Sequence, residues 1–246
     1  MQRSAPRLSR ILACAAVPVM LVAAGCSSGS DSGDKGSGAT DKTKASSSAS
    51  ATPSAAPSTK AVEQAKFAKL PKICASVSAK TVESLVPKVK NKNGTEANSS
   101  DAASRGGCSW NGLEDKGTKG SQYRWLDVSY YRYESDATLG SGQERAADNY
   151  AKELAKVQAT PGAKKPVTSK AAGVGDQADV VTYGLRKTDE DFTYASVVAR
   201  TGNVVVLLSY NGAGYAGADG PSAKTVQDGA VKAAKEAVAA VAAANK

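Results

Sequence analysis

Between Tyr123 and Tyr133 the chain alternates with a period of two. Leu126, Val128 and Tyr130 fall on one side; Trp125, Asp127, Ser129, Tyr131 and Tyr133 fall on the other. That period predicts a β-strand. Cys108-Ser109-Trp110 starts a strand upstream of it, with a turn at Gly117 to Gly120 between the two. Three further strands are predicted over about 178–186, 191–200 and 204–210. Val204 to Leu208 is apolar without a break, the pattern of a central strand covered on both faces. The links between these three are short, and Gly202-Asn203 is a tight hairpin signal. They therefore form an antiparallel meander, because a parallel return needs roughly a dozen residues or more.

Helical spacing appears in three places. Ser78 caps a short helix carrying Val82, Leu85 and Val86, ended by Pro87. Ser141-Gly142-Gln143-Glu144 is a capping box, followed by a stripe of Ala147, Tyr150, Ala151, Leu154 and Val157 and stopped by Pro161-Gly162. Pro221 opens a long helix with Val226, Ala230, Ala234, Val238 and Val241 on its apolar side. Residues 88–106 are polar and read as a surface loop. The predicted order is α-β-β-α-β-β-β-α: an α+β domain with a single antiparallel sheet of about five strands packed by helices.

The N-terminal region follows other rules. Arg3, Arg7 and Arg10 precede an apolar run from Ile11 to Ala24, too short for a stable membrane span, and small residues end the run at Gly25-Cys26. That is a secretory signal. Met20 to Cys26 resembles the lipobox of bacterial lipoproteins, with Ala23 where the pattern prefers Leu. The resemblance implies that Cys26 is acylated and becomes the mature N-terminus. Residues 1–25 are then a removed signal peptide. Residues 27–60 hold no large apolar side chain and cannot bury enough surface to offset their ordering entropy. Residues 26–60 thus form a lipidated Ser/Ala/Gly/Pro tether, and 61–246 form one domain. The expected location is the extracytoplasmic face of the cell membrane, with the membrane itself a partner through the N-terminal lipid.

Charge and cysteines refine this picture. Of the formal +9, three charges belong to the signal arginines and one to the tether, leaving +5 on the domain. That suits ordinary solubility near an anionic surface. No Arg-rich stripe points to nucleic acid. Of four cysteines, Cys14 leaves with the signal peptide and Cys26 takes lipid. Cys74 and Cys108 remain in an oxidising compartment and are expected to pair.

Leu70-Pro71-Lys72-Ile73-Cys74, then Val82 and Leu85, then Cys108-Ser109-Trp110, then Gly173-Val174-Gly175-Asp176-Gln177-Ala178 resemble the actinobacterial lipoproteins of domain-of-unknown-function family 3558 over about 68–243. The resemblance implies a lipid-anchored exported protein and brings no catalytic residue. The element order is also similar to that of Mog1/PsbP-like α/β/α sandwiches.

The chain contains no histidine. Ser-His-Asp and Cys-His nucleophiles, His-based zinc sites and His general bases are all removed with it. The one Ser-x-x-Lys, Ser32 to Lys35, sits in the tether. No metal-ligating set and no cofactor motif is present. Gly173 to Asp176 lacks the following helix that a phosphate loop needs, and reads as a turn in which Asp176 bonds its own backbone. Asp189-Glu190-Asp191 reads as a solvated hairpin tip. The candidate ligand-contacting residues are the aromatics Trp110, Tyr123, Trp125, Tyr131 and Tyr133, gathered on two neighbouring strands. On an open face they stack on sugars or hold an apolar ligand; on a covered face they fill the core. The expected function is a non-catalytic binding or envelope-support domain, with an envelope lipid, glycan or protein as its partner. The alternatives are a carboxylate-dependent glycan-active enzyme and a protein-interaction module at the membrane.

Overall fold

The computed structural model describes residues 61–246. The expected signal peptide and tether, with Ser32, Lys35 and the expected lipidation site Cys26, lie outside the described residues. A sheet of seven antiparallel strands runs through the domain: β1 (Thr95–Glu96), β2 (Arg105–Asp115), β3 (Ser121–Arg132), β4 (Lys164–Lys170), β5 (Gln177–Lys187), β6 (Glu190–Thr201) and β7 (Val204–Tyr215). Three α-helices flank it: α1 (Ala79–Leu85), α2 (Gly142–Gln158) and α3 (Ala223–Ala244). The spatial order is β1-β2-β3-β7-β6-β5-β4. The chain builds one half as a meander, crosses on α2 to the far edge, and meanders back until β7 closes against β3. The last strand is thus the middle one. Its continuous apolar run follows from that place, with Val204, Val205 and Val206 all fully buried.

The alternation of β3 sorts as the sequence predicts. Leu126, Val128 and Tyr130 are fully buried beneath α1 and α3. The stripe of α3 is small enough for close approach to the sheet. A Cβ on Gly229 would lie 2.7 Å from the Tyr210 ring and 2.9 Å from Leu85. The Tyr210 hydroxyl donates to the Leu85 carbonyl at 2.6 Å, so α1, β7 and α3 meet there. Glu236 of α3 accepts from Ser78 N at 2.8 Å and from Thr81 Oγ1 at 2.6 Å, fixing the start of α1. The disulfide Cys74–Cys108 ties the short 3₁₀ turn Ile73–Ala75 to β2 with a Cα separation of 5.2 Å. On the opposite face α2 packs Ala146 and Tyr150 against Val198 and Val205.

Several sequence expectations are corrected. The sheet has seven strands instead of about five. The extra β4 reads Lys-Lys-Pro-Val-Thr-Ser-Lys and is exposed along its whole length. It is an edge strand with lysines, a proline and a register shift between Lys164 and Val167, features that discourage further pairing and carry no periodic signal. β1 is only two residues long, within the segment read as a loop. The buried stripe of α2 runs through Gly142, Ala146 and Tyr150, while Ala151 is exposed. The cap of α3 is Ser222, accepting from Thr225 N, so Pro221 lies before the helix. Asp176 does not bond its own backbone. Its carboxylate accepts from Gly202 N at 2.7 Å and links the Gly173–Gly175 turn to the β6–β7 hairpin. Asn203, next in that hairpin and fully buried, bonds both backbone groups of Phe67 and the Tyr133 carbonyl, which seats the N-terminal segment on the sheet.

Candidate ligand groove

α2 covers only part of its face. Beyond it lies a groove of about 550 Å³, floored by β3, β7 and β6 and closed at one side by the tip of the β5–β6 hairpin. The register sets its chemistry in two rows. In one, Asp127 stands opposite Ser109 on β2 and Ser209 on β7, and Ser209 stands opposite Ser196 on β6. In the next, Trp125 stands between Asn111 and Asn211, and Asn211 faces Tyr194.

The outer end of the groove is aromatic. Tyr123, Phe192 and Tyr215 meet edge to face, with centroids 6.1, 6.3 and 6.5 Å apart. Tyr194 continues the cluster, 6.1 Å from Phe192, and stacks on Tyr183 at 5.1 Å. These geometries are the favoured ones for aromatic pairs and hold the rings in place. At the rim, Lys187 places Nζ 5.2 Å from the centroid of Tyr194. The hairpin tip turns through Thr188 and Asp189, both at positive φ (47° and 64°), as a two-residue turn requires. Thr188 is β-branched and strained in that region.

The inner end is polar. Trp125 Nε1 donates to Asp127 Oδ1 at 3.0 Å. Burial pushes the Asp127 carboxyl up to about 6, opposed by that hydrogen bond. No cation forms an ion pair with Asp127 among the described residues. A desolvated carboxylate with one neutral donor is an uncommon thing to keep in an aromatic setting. Burial also raises the Tyr123 and Tyr215 hydroxyls above the usual phenol range, so both are neutral donors at neutral pH.

The five predicted aromatics divide between three environments. Tyr123 and Trp125 line the groove. Tyr131 and Tyr133 share its face but pack beside α2, each with an arginine over its ring: Arg105 at 5.9 Å and Arg145 at 5.7 Å. Trp110 is on the other face, 1 % exposed in the core under α1, because its position on β2 has the opposite parity. It belongs to the core cluster with Leu126, Val128 and Tyr130 and is a packing residue. Gly94, at φ +77°, lies so close over Trp110 and Cys108 that a Cβ would meet Cys108 Sγ at 2.3 Å. Sequence reasoning missed Asp127, Phe192, Tyr194, Asn211 and Tyr215 as groove residues. The alternation on β6 and the apolar-to-polar change along β7 mark their faces, but only the register brings them beside Trp125.

No family model matches the chain, and no curated protein matches it. Among solved structures, it is similar to LpqN, described as involved in cell envelope biogenesis of Mycobacterium tuberculosis, at 17 % identity and a TM-score of 0.28, over 58 % of this chain and 82 % of that one. No helix among the described residues is long and apolar enough to cross a membrane.

Proposed function

We propose that this chain is an exported lipoprotein of the family it resembles, anchored through Cys26, whose domain binds an envelope component in the groove beside α2. The observation that carries the reading is the juxtaposition of the rings of Tyr123, Phe192, Tyr194 and Tyr215 with Trp125, Asp127, Ser209 and Asn211 in one concave surface. Ligand sites combine apolar walls with a few convergent polar groups in this way. The Arg3/Arg7/Arg10 region, the apolar run and Cys26 support export and anchoring.

Binding is preferred over glycan cleavage on one ground. Glycoside hydrolysis in its usual form needs two carboxyl groups flanking the bond, whereas Asp127 is the single carboxylate lining the groove among the described residues. The test is a calorimetric screen of the purified protein against membrane lipids, wall-glycan fragments and oligosaccharides. Any ligand found is then titrated into Trp125→Ala after circular dichroism has confirmed folding. A loss of affinity of ten-fold or more supports the groove. Unchanged affinity in a folded variant overturns it, and steady turnover of a glycan that depends on Asp127 favours the enzyme.

A further inference from the structure

We propose that the groove selects ligands bearing an amine or quaternary ammonium group, seated against Asp127, with an attached apolar portion lying along Tyr123, Phe192 and Tyr215. This rests on the groove being a binding site and names the chemistry it takes.

Three observations lead there. Asp127 is a carboxylate inside the groove with one partner, the Trp125 N–H, and no ion-paired cation among the described residues. An incoming cation supplies the opposite charge, and a primary amine adds the hydrogen bonds that this side chain gave up on burial. The surrounding rings suit a cation as well, because their faces carry negative potential. The protein uses that property itself: Lys187 Nζ already sits over the Tyr194 ring, 5.2 Å from its centroid, at the mouth of the same groove. Finally, the aromatic and acidic ends are ordered along the strands. Tyr123 and Trp125 lie two residues apart on β3, with Asp127 two further on, all on one face. An amphipathic molecule with a cationic head fits that polarity; a carboxylate- or phosphate-headed one meets Asp127 with like charge.

The pH response follows from one group. Other titratable or charged groups on this side are Arg105 on β2, Tyr123, Tyr131 and Tyr133 on β3, Lys187 on β5, Tyr194 and Glu190 on β6, Tyr215 on β7, and Arg145, Glu153 and Lys156 of α2, which act on Tyr133 and Tyr131. None contributes to the raised Asp127 carboxyl, which is set by burial and the Trp125 bond. Below about 6 Asp127 is protonated and its attraction for a cation is lost.

The experiment is a calorimetric titration of the purified full chain at pH 7.5 and pH 5.0 with four probes of one chain length: hexylammonium, hexyltrimethylammonium, 1-hexanol and hexanoate. At pH 7.5 the two cations bind at least ten-fold more tightly than hexanol, and hexanoate binds most weakly. At pH 5.0 the preference over hexanol falls to about three-fold or less. Asp127→Asn removes the preference at both pH values, while Lys187→Met, which removes the protein's own competing cation, strengthens hexylammonium binding. Equal affinity for cations and hexanol at pH 7.5 in the wild type overturns the amine assignment but leaves the groove as an apolar binding site. Failure of all four probes to bind overturns the groove reading with it. The wild-type pH arm decides the matter even if Asp127→Asn fails to fold.

Discussion

The indole N–H of Trp125 donates to Asp127 Oδ1 at 3.0 Å, across two residues of one strand and on one face of the sheet. Each side chain alone has a plain explanation: an aromatic between layers, a polar residue on the exposed half of an alternating strand. Together they form a neutral-donor, charged-acceptor pair, half-buried in the floor of the groove. Such pairs are expected where a ligand completes the shell.

The first prediction concerns the energy of that arrangement. Asp127 binds its proton more tightly in the folded chain, near 6, than its usual value of 3.8. Stability therefore falls as pH rises from about 4 to about 6, and the loss is complete above that window. Asp127→Asn escapes it and still accepts from Trp125. We expect the variant to be more stable than wild type by about 2–3 kcal/mol at pH 7.5, with the difference gone at pH 4. Urea unfolding at the two pH values checks this. A variant less stable than wild type at both contradicts it.

The second concerns the disulfide. Cys74 and Cys108 are 34 residues apart in sequence, and closing a loop of that size contributes roughly 3–4 kcal/mol. Cys74→Ser is expected to lower Tm by roughly 6–15 °C, and reduction of the wild type to lower it by a similar amount. Non-reducing peptide mapping should recover the two cysteines in one linked pair.

The third separates the two tryptophans. Trp110 is 1 % exposed, and truncation leaves a cavity under α1 and α3. Trp110→Ala is expected to cost about 3–5 kcal/mol. Trp125 is half-buried at the groove floor, and Trp125→Ala is expected to cost less than half as much while abolishing ligand binding. Equal losses of stability would place Trp125 in the core and remove it from the site.

Much of this fold was legible in local pattern. The alternation of Leu126, Val128 and Tyr130 declared the core face of β3, and the apolar run at Val204 to Leu208 declared a central strand. Capping chemistry located α1 and α2, where Ser78 and Ser141 act as caps. What the pattern missed was short or polar. β4 is a fully exposed edge, so no hydrophobic period exists to be read, and β1 has two residues. The candidate groove was legible only in part. Tyr123 and Trp125 were on the expected strand. Their partners Asn211 and Ala213 come from β7, more than eighty residues downstream, through a pairing that crosses α2 and three strands. Trp110 was misassigned for the complementary reason: adjacency of strands was inferred, while the face on which β2 presents its even-numbered residues was not.

The most direct measurement is the indole region of the ¹H–¹⁵N spectrum, since the chain has two tryptophans in opposite settings. Trp125 Nε1 bonds Asp127 in the groove, and Trp110 Nε1 is buried without a hydrogen-bond partner on the other face. Hexylammonium, one of the probes above, is titrated into the full chain at pH 7.5. The Trp125 resonance is expected to move and saturate while that of Trp110 stays fixed. A Trp125 resonance that does not move at saturating probe would contradict it.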